Sequence, residues 1–532
     1  MRRGRLASSE SDGGPNDPRL VARRDVLVAL VLAALTILLG VLIRTAPVPT
    51  DPWHYVESAR AFPSRNWIPV GYTRYGMVLP LIPLLAALHR SQATYALPAL
   101  LSSGVLVAVI YLLGKRVAAR AVGIGAVALF LSNPVVILNL TRSYPDLPAT
   151  ALVGLALLLA IVGSDRRRTD VASRRSEIGL LLAIGFLLGW SVEVRETAVL
   201  LWPVVVWVVL RDFPWRSWVA VAGPVLAWVA AELTISGLSY GDPLLRLRVL
   251  SGSNLAGTTN VADQPYLGHP RLYYLTVVPD ATLRGPGGRV TLLIGILGLL
   301  GLVLLRGRQR LMAFWFAIPL LGYTAVGGGL SPAHPSIRLD VQRYWLFFLP
   351  GMSLTAAVLL YQLVLRLRLR VTAPTAQGRL APVLRGLPAA ALACLCVATV
   401  VPAARLVSTS QLFPANGGSG FEQMRTYVAA LPDNRRRVIW SDWQTLRILP
   451  VFQSSAIGRL RWQSKYKSLT GPGQPQVGDL VLGVARAGSP CPFCGDNFAV
   501  WRRAHPVLPP SWRVEWRSTN DTLRLYRVRA PA

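Results

Sequence analysis

What most constrains this chain is the recurrence, along most of its length, of unbroken apolar runs about long enough to cross a bilayer. A helix rises about 1.5 Å per residue, so roughly 20 apolar residues span about 30 Å of hydrocarbon. The clearest runs are Val26 to Ile43, Tyr95 to Leu113, Ala121 to Leu138, Trp218 to Ile235 and Tyr344 to Leu365. Shorter ones are Ala149 to Gly163, Ile178 to Trp190, Ala198 to Leu210, Thr291 to Leu305, Leu311 to Val326 and Leu387 to Val401. Together they predict an all-α polytopic membrane protein with about eleven transmembrane helices. Composition agrees: 52% of residues are hydrophobic and 15% charged, where soluble domains carry about 25% charged residues.

The formal charge of +31 would suit a nucleic-acid partner, but its distribution argues against one. Basic residues gather in short loops between apolar runs. These hold Arg23 and Arg24; Lys115, Arg116 and Arg120; Arg166 to Arg168 with Arg174 and Arg175; Arg211 and Arg216; Arg306, Arg308 and Arg310; and Arg366, Arg368 and Arg370. Counted along the spans, all fall on one side together with residues 1–25, the positive-inside pattern of a cytoplasmic face. Their expected partner is the anionic leaflet of the bilayer. Arginine far exceeds lysine (only Lys115, Lys465 and Lys467) and alanine and glycine are abundant, which suggests a GC-rich bacterium; the expected location is the bacterial cytoplasmic membrane. Met77 to Leu88 is apolar but short and holds Pro80 and Pro83. Counting it as a span would invert every later basic loop, so it is expected to lie at the interface or re-enter.

The transmembrane domain is thus placed at residues 26–403, with large outer loops at 44–94, 237–290 and 327–343. A small extracytoplasmic α/β domain is expected over residues 404–532, entered through the glycine-bearing stretch Pro414 to Gly420. Its candidate elements are a helix at Phe421 to Leu431 and strands at Arg437 to Trp440, Asp479 to Val484, Trp512 to Arg517 and Leu523 to Val528. Cys491 and Cys494 are expected to form a local disulfide there.

The chemistry-bearing residues lie at the outer mouths of helices. Asp51 opens the stretch Asp51-Pro52-Trp53-His54-Tyr55-Val56-Glu57, just past the first span. An acid at the membrane edge is costly unless it is paired or functional, although Asp-Pro also serves as a helix start, with Asp as N-cap. Arg142 and Asp146 flank Tyr144 before another helix, with the same two readings. Glu193, Arg195 and Glu196 interrupt two apolar segments and form either a salt bridge or a site. Arg343 and Tyr344 precede an aromatic span, where an arginine can hold a phosphate through its planar donor fork or extend to headgroups.

Taken in order, these features resemble the GT-C glycosyltransferases, in the bacterial branch related to protein mannosyltransferases and lipid A aminoarabinose transferases. The resemblance rests on Asp51 with Tyr55 and Ala59, Pro80 and Pro83, and Gly114-Lys115-Arg116. It continues through Asn133-Pro134, Arg142 to Asp146, Arg195-Glu196-Thr197-Ala198, and Arg343-Tyr344 with Pro350. It covers residues 20 to 400 by architecture. It implies transfer of a hexose or pentose from a polyprenyl-phosphate donor to a glycan or lipid acceptor of the envelope, on the outer face. Asp51 would be the general base. Asp146 or Glu57 would supply a second carboxylate, since Pro52 stands where many relatives carry another acid. Arg74, Arg142, Arg195 and Arg343 are the candidate ligands of the donor phosphate, and His54, Tyr55 and Tyr344 the candidate substrate contacts. A divalent ion, magnesium or manganese, near Asp51, His54 and Asp146 is left open, with no spacing that requires it. A membrane transporter and a non-enzymatic envelope scaffold are the alternatives. The former would be expected to show inverted repeats, which are not evident; the latter would not need acids at helix mouths.

Overall fold

The computed structural model describes residues 18–63, 74–169, 173–252, 255–257, 263–371, 381–410, 413, 419–432, 437–489, 491 and 495–530. The first part of the chain folds into α1 (Pro18–Leu42), α2 (Asp51–Ala61), α3 (Tyr75–Leu88), α4 (Gln92–Val117), α5 (Arg120–Leu131) and α6 (Pro134–Asn139). Then come α7 (Asp146–Arg168), α8 (Arg174–Val194), α9 (Trp202–Asp212), α10 (Trp218–Tyr240), α11 (Leu245–Gly252) and α12 (Arg271–Arg284). The bundle ends with α13 (Gly288–Leu304), α14 (Gly307–Thr324), α15 (Leu349–Val371) and α16 (Ala381–Thr409).

Among the described residues, eight helices are long and apolar enough to cross a membrane: α1, α4, α7, α8, α10, α14, α15 and α16. The three other segments expected to span fall on α5 with α6, on the tight turn Glu196–Leu201 running into α9, and on α13. The protein is a multi-pass membrane protein. The run from Ala121 to Leu138 is not continuous, because Asn133 ends α5 and starts α6, its side chain accepting from the amide of Val135 at 2.9 Å. Proline at the next position suits such a start. The Pro80/Pro83 segment is helix α3, whose 14 residues extend only about 21 Å. Helices α10 and α16 turn most of their apolar side chains outward, Val219, Leu226 and Val397 among them, as lipid-facing helices do. α7 is the most enclosed of the long helices.

The two ends of the bundle differ in chemistry. At one, Asp25 pairs with Lys115 (2.7 Å) and Arg120 (2.6 Å), Asp165 with Arg116 and Arg308, and Asp212 with Arg168 and Arg211 (both 3.1 Å). The basic loops identified from the sequence therefore meet at one face. The other end carries the C-terminal domain, with helices α17 (Ser419–Ala430), α18 (Trp443–Gln453) and α19 (Phe498–Ala504). Its strands are β1 (Val438–Ser441), β2 (Lys465–Ser468), β3 (Leu480–Val484), β4 (Trp512–Arg517) and β5 (Leu523–Val528). They form one mixed sheet in the order β2-β1-β3-β5-β4, parallel between β2, β1 and β3 and antiparallel between β3, β5 and β4. The domain is fastened to the membrane part. Glu422 accepts from Gln92 (2.5 Å) and pairs with Arg44 (3.3 Å), and the amide of Ala93 donates to the carbonyl of Ala456 at 3.1 Å. Cys491 is disulfide-bonded; Cys494, its expected partner, lies outside the described residues.

Candidate active site

The domain-bearing end gathers most of the acids and arginines singled out above. α2 begins at Asp51 because Thr50 takes the N-cap position and Pro52 fixes the backbone of the first turn. Asp51 does not cap the helix; its carboxylate meets the guanidinium of Arg343 at 3.0 Å. α7 likewise begins at Asp146, with Pro145 in the cap position and no side-chain cap. Asp146 is fully buried, 3.4 Å from Nε of Arg195 and 3.9 Å from Nε of Arg343. The N-cap reading of both acids is thereby replaced: each stands in the first turn of a helix, where the backbone dipole favours negative charge, and each faces an arginine.

Arg343 thus lies between two carboxylates contributed by elements nearly a hundred residues apart. Its guanidinium also sits 4.3 Å from the ring centre of Tyr144 and 5.2 Å from that of Tyr344. Arg195 occupies the extended residue between α8 and the Glu196–Leu201 turn. Its guanidinium covers the other reach of Tyr344 at 5.1 Å, and its Nε donates to Thr197 at 3.3 Å. Tyr344 stacks on Tyr323 at 5.8 Å, and the Tyr323 and Thr197 hydroxyls share a hydrogen bond of 2.7 Å. Burial alone would push the Asp51 carboxyl upward, but Arg343, Arg74 and Arg195 hold it below the usual carboxylate range. His54, half-buried against Trp53, moves the other way: burial and Arg447 of α18 hold its imidazole below the usual value against the pull of Asp51.

Among the described residues, several buried polar atoms of these expected site residues make no hydrogen bond. They include both oxygens of Asp146, Nε of Arg343, and Nε and one terminal nitrogen of Arg142. The atoms of Asp146 and Arg343 are nonetheless ion-paired, with Arg195 and with each other, so that among these residues it is the buried guanidinium of Arg142 that shows no ion pair.

Other expected residues are placed differently. Arg74 is buried and spends its donor fork on Glu196, at 3.1 and 3.2 Å, while its third nitrogen donates to Tyr55. The Tyr55 hydroxyl is therefore tied into a buried pair. Glu57 is not brought to Asp51; it pairs with Arg60 (3.0 Å) and Arg90 (3.2 Å). Glu193 belongs to a second network that the sequence did not reveal. Arg246 of α11 reaches inward to Glu193 (3.1 Å), Glu232 (3.2 Å) and Glu196 (3.3 Å). Gly76 allows α3 to lie against this junction, since a Cβ there would stand 2.7 Å from the backbone of Glu193 and Val194. Tyr323 and Arg447 were also unmarked, one hidden in an apolar span and the other in a helix of the appended domain.

Among the described residues no three His, Cys, Asp or Glu side chains come together as metal ligands. A guanidinium, not an open space, separates Asp51 from Asp146. The two carboxylates are thus bridged by an arginine in this structure.

No protein-family model matches the sequence, and no curated protein matches it. Solved structures do match. ArnT from Cupriavidus metallidurans in the apo state superposes with a TM-score of 0.56 at 13% identity, covering 96% of this chain and 100% of that one. The same protein bound to undecaprenyl phosphate gives 0.53 at 12% identity, over 96% and 99% of the two chains. The likeness is one of fold: helices, loops and appended domain follow the same course in both proteins over nearly their whole lengths.

Proposed function

We propose that this protein is a membrane glycosyltransferase that moves a sugar from a polyprenyl phosphate to a glycan or lipid-linked acceptor of the bacterial envelope, on the extracytoplasmic face. The observation that carries this reading is the Asp51–Arg343–Asp146 bridge at the domain-bearing end, with the partnerless guanidinium atoms of Arg142 nearby in sequence. The ArnT structure with undecaprenyl phosphate supports the same class of donor.

In this reading the acceptor hydroxyl attacks the anomeric carbon, the bond from that carbon to the phosphate oxygen breaks, and polyprenyl phosphate leaves. Asp51 takes the hydroxyl proton, a role open to a carboxylate within hydrogen-bond reach. The leaving phosphate gathers negative charge and needs preorganised cations. Arg343 and Arg195 fill that need, with Arg142 as a further ligand. Arg343 has two tasks: without substrate it holds Asp51 and Asp146 together, and with the donor bound it turns to the phosphate, which restores the basicity of Asp51. Asp146, buried behind it, keeps Arg195 and Arg343 aimed at the centre. Arg74, Tyr55 and Glu57 shape the walls, and His54 and Tyr344 line the substrate side.

The test is Asp51→Asn, which keeps shape and removes the base. Turnover with a polyprenyl-phosphate hexose or pentose should fall by about 10²-fold or more, with unchanged yield and thermal midpoint in detergent. Near-normal turnover in this variant would remove Asp51 from the chemistry.

A further inference from the structure

A cleft of about 560 Å³ lies between α12 and the segment around Arg338 and Asp340, apart from the carboxylate bridge. Its size falls in the range of ligand sites, about 300–1,000 Å³. One wall is a single stripe of α12: Tyr273, Val277, Asp280 and Arg284 recur at helical spacing. The opposite wall is pinned. Arg338 donates to Asp340 from two nitrogens and pairs with Asp263 at 3.2 Å, while the Tyr266 hydroxyl accepts from the amide of Leu339 at 3.1 Å and donates to the carbonyl of Gly327. Beneath α12, the ring of Tyr274 packs where a Cβ on Gly328 would stand, and Gly328 has φ +125. Glycine there lets the helix seat closely on the end of α14.

The two walls differ in what they leave over. Among the described residues the Tyr273 hydroxyl makes no side-chain hydrogen bond, Asp280 forms no ion pair, and Arg284 donates only through Nε, to the Asp280 carbonyl at 3.3 Å. His269 stacks on Tyr273 at 4.0 Å and fixes its ring. A rigid aromatic ring beside a free carboxylate, a free guanidinium and a free hydroxyl suits a ligand with one apolar ring face and many hydroxyls. A polyprenyl chain would find those charges costly to cover. Asp340 stands three residues before Arg343, so the cleft lies within about 11 Å of chain of the carboxylate bridge.

We infer that this cleft is a saccharide subsite, holding sugar units of the substrate beside the transfer centre. The inference rests on the glycosyltransferase reading, and its test stands apart from it. The full-length protein in lipid nanodiscs is probed with neutral disaccharides (mannobiose, galactobiose and arabinobiose) by saturation-transfer NMR, in the wild type, Tyr273→Ala, Asp280→Asn and Asp51→Asn. At least one disaccharide should bind the wild type and Asp51→Asn alike, and bind at least fivefold more weakly to Tyr273→Ala and Asp280→Asn. Added polyprenyl-phosphate hexose distinguishes the source: competition assigns the cleft to the donor's sugar, and undiminished binding assigns it to the acceptor. No disaccharide signal in the wild type, or a signal equal in all four proteins, overturns the subsite. Turnover by Asp51→Asn bears on the transfer reading alone. Asp280→Asn is nearly isosteric at an exposed position, so its result does not hinge on folding.

Discussion

In the proposed transfer Arg343 is the residue on which the chemistry turns, because the same guanidinium that would stabilise a leaving phosphate pairs with the proposed base beside it. Burial acts to raise the Asp51 carboxyl and the three arginines outweigh it, so the free protein holds Asp51 below the usual carboxylate range. Activity that needs the carboxylate is present above this lowered value and is lost as pH falls through it. If Arg343 turns to the donor phosphate, Asp51 loses part of that support in the complex and its value rises. The acid limb of kcat/KM, which reports the free enzyme, should therefore lie at lower pH than the acid limb of kcat. Coincident limbs would mean that Arg343 does not leave Asp51. The same geometry predicts that Arg343→Lys keeps a small part of turnover: a point charge can neutralise phosphate but cannot bridge two carboxylates as a planar fork does. Turnover equal to the wild type in that variant would count against the bridge.

At the scale of elements, Arg246 shows how a loop is locked to the bundle. α11 sends this one side chain among Glu193, Glu196 and Glu232, and Arg74 meets Glu196 from the other side. Removing one partner of a buried ion pair leaves an uncompensated charge, at a cost of about 3–5 kcal/mol. Arg246→Met should thus lower the thermal midpoint in detergent clearly, and adding Glu193→Gln should recover part of the loss. A single variant as stable as the wild type would make the network ornamental. None of this was legible beforehand, since Arg246 sits in an unremarkable Leu-Arg-Leu-Arg stretch and its partners lie on other elements. Strand β2 was missed for a related reason. As an edge strand it exposes Lys465 and Lys467, a usual guard against edge pairing, and so shows no apolar signal. The eleven apolar segments were readable because hydropathy and loop charge are local properties. Asp51, Asp146, Arg195 and Arg343 were readable as isolated charges at helix mouths, but their convergence was not.

The molecule as a whole has a basic end and a domain-bearing end, and the proposed site lies where the domain is seated. By the positive-inside rule the basic end is expected on the cytoplasmic side. In a variant with Cys394 and Cys396 replaced by serine, a cysteine at the exposed Val507 should react with an impermeant maleimide in whole cells or spheroplasts, and one at Thr169 should react only after lysis. The reverse pattern would invert the topology and remove the extracytoplasmic site. Domain and site are joined through α18. Arg447 donates to the carbonyl of Pro49 at 3.0 Å, and its guanidinium lies 4.6 Å from the ring centre of Trp53 and 5.4 Å from that of Trp443. Pro49 and Trp53 flank Asp51, so the domain grips the turn that presents the proposed base. Such a cation–ring contact is worth about 0.5–2 kcal/mol, too little to hold a domain that also has Glu422 and Ala456 to fasten it. Its weight should fall on alignment, where a displacement of about 1 Å can cost on the order of 100-fold in rate. Arg447→Met is therefore expected to lower kcat by about ten- to a hundredfold with little change in donor KM or thermal midpoint, and Arg447→Lys to recover part of it. A loss confined to stability, with kcat intact, would reduce the contact to a fastening.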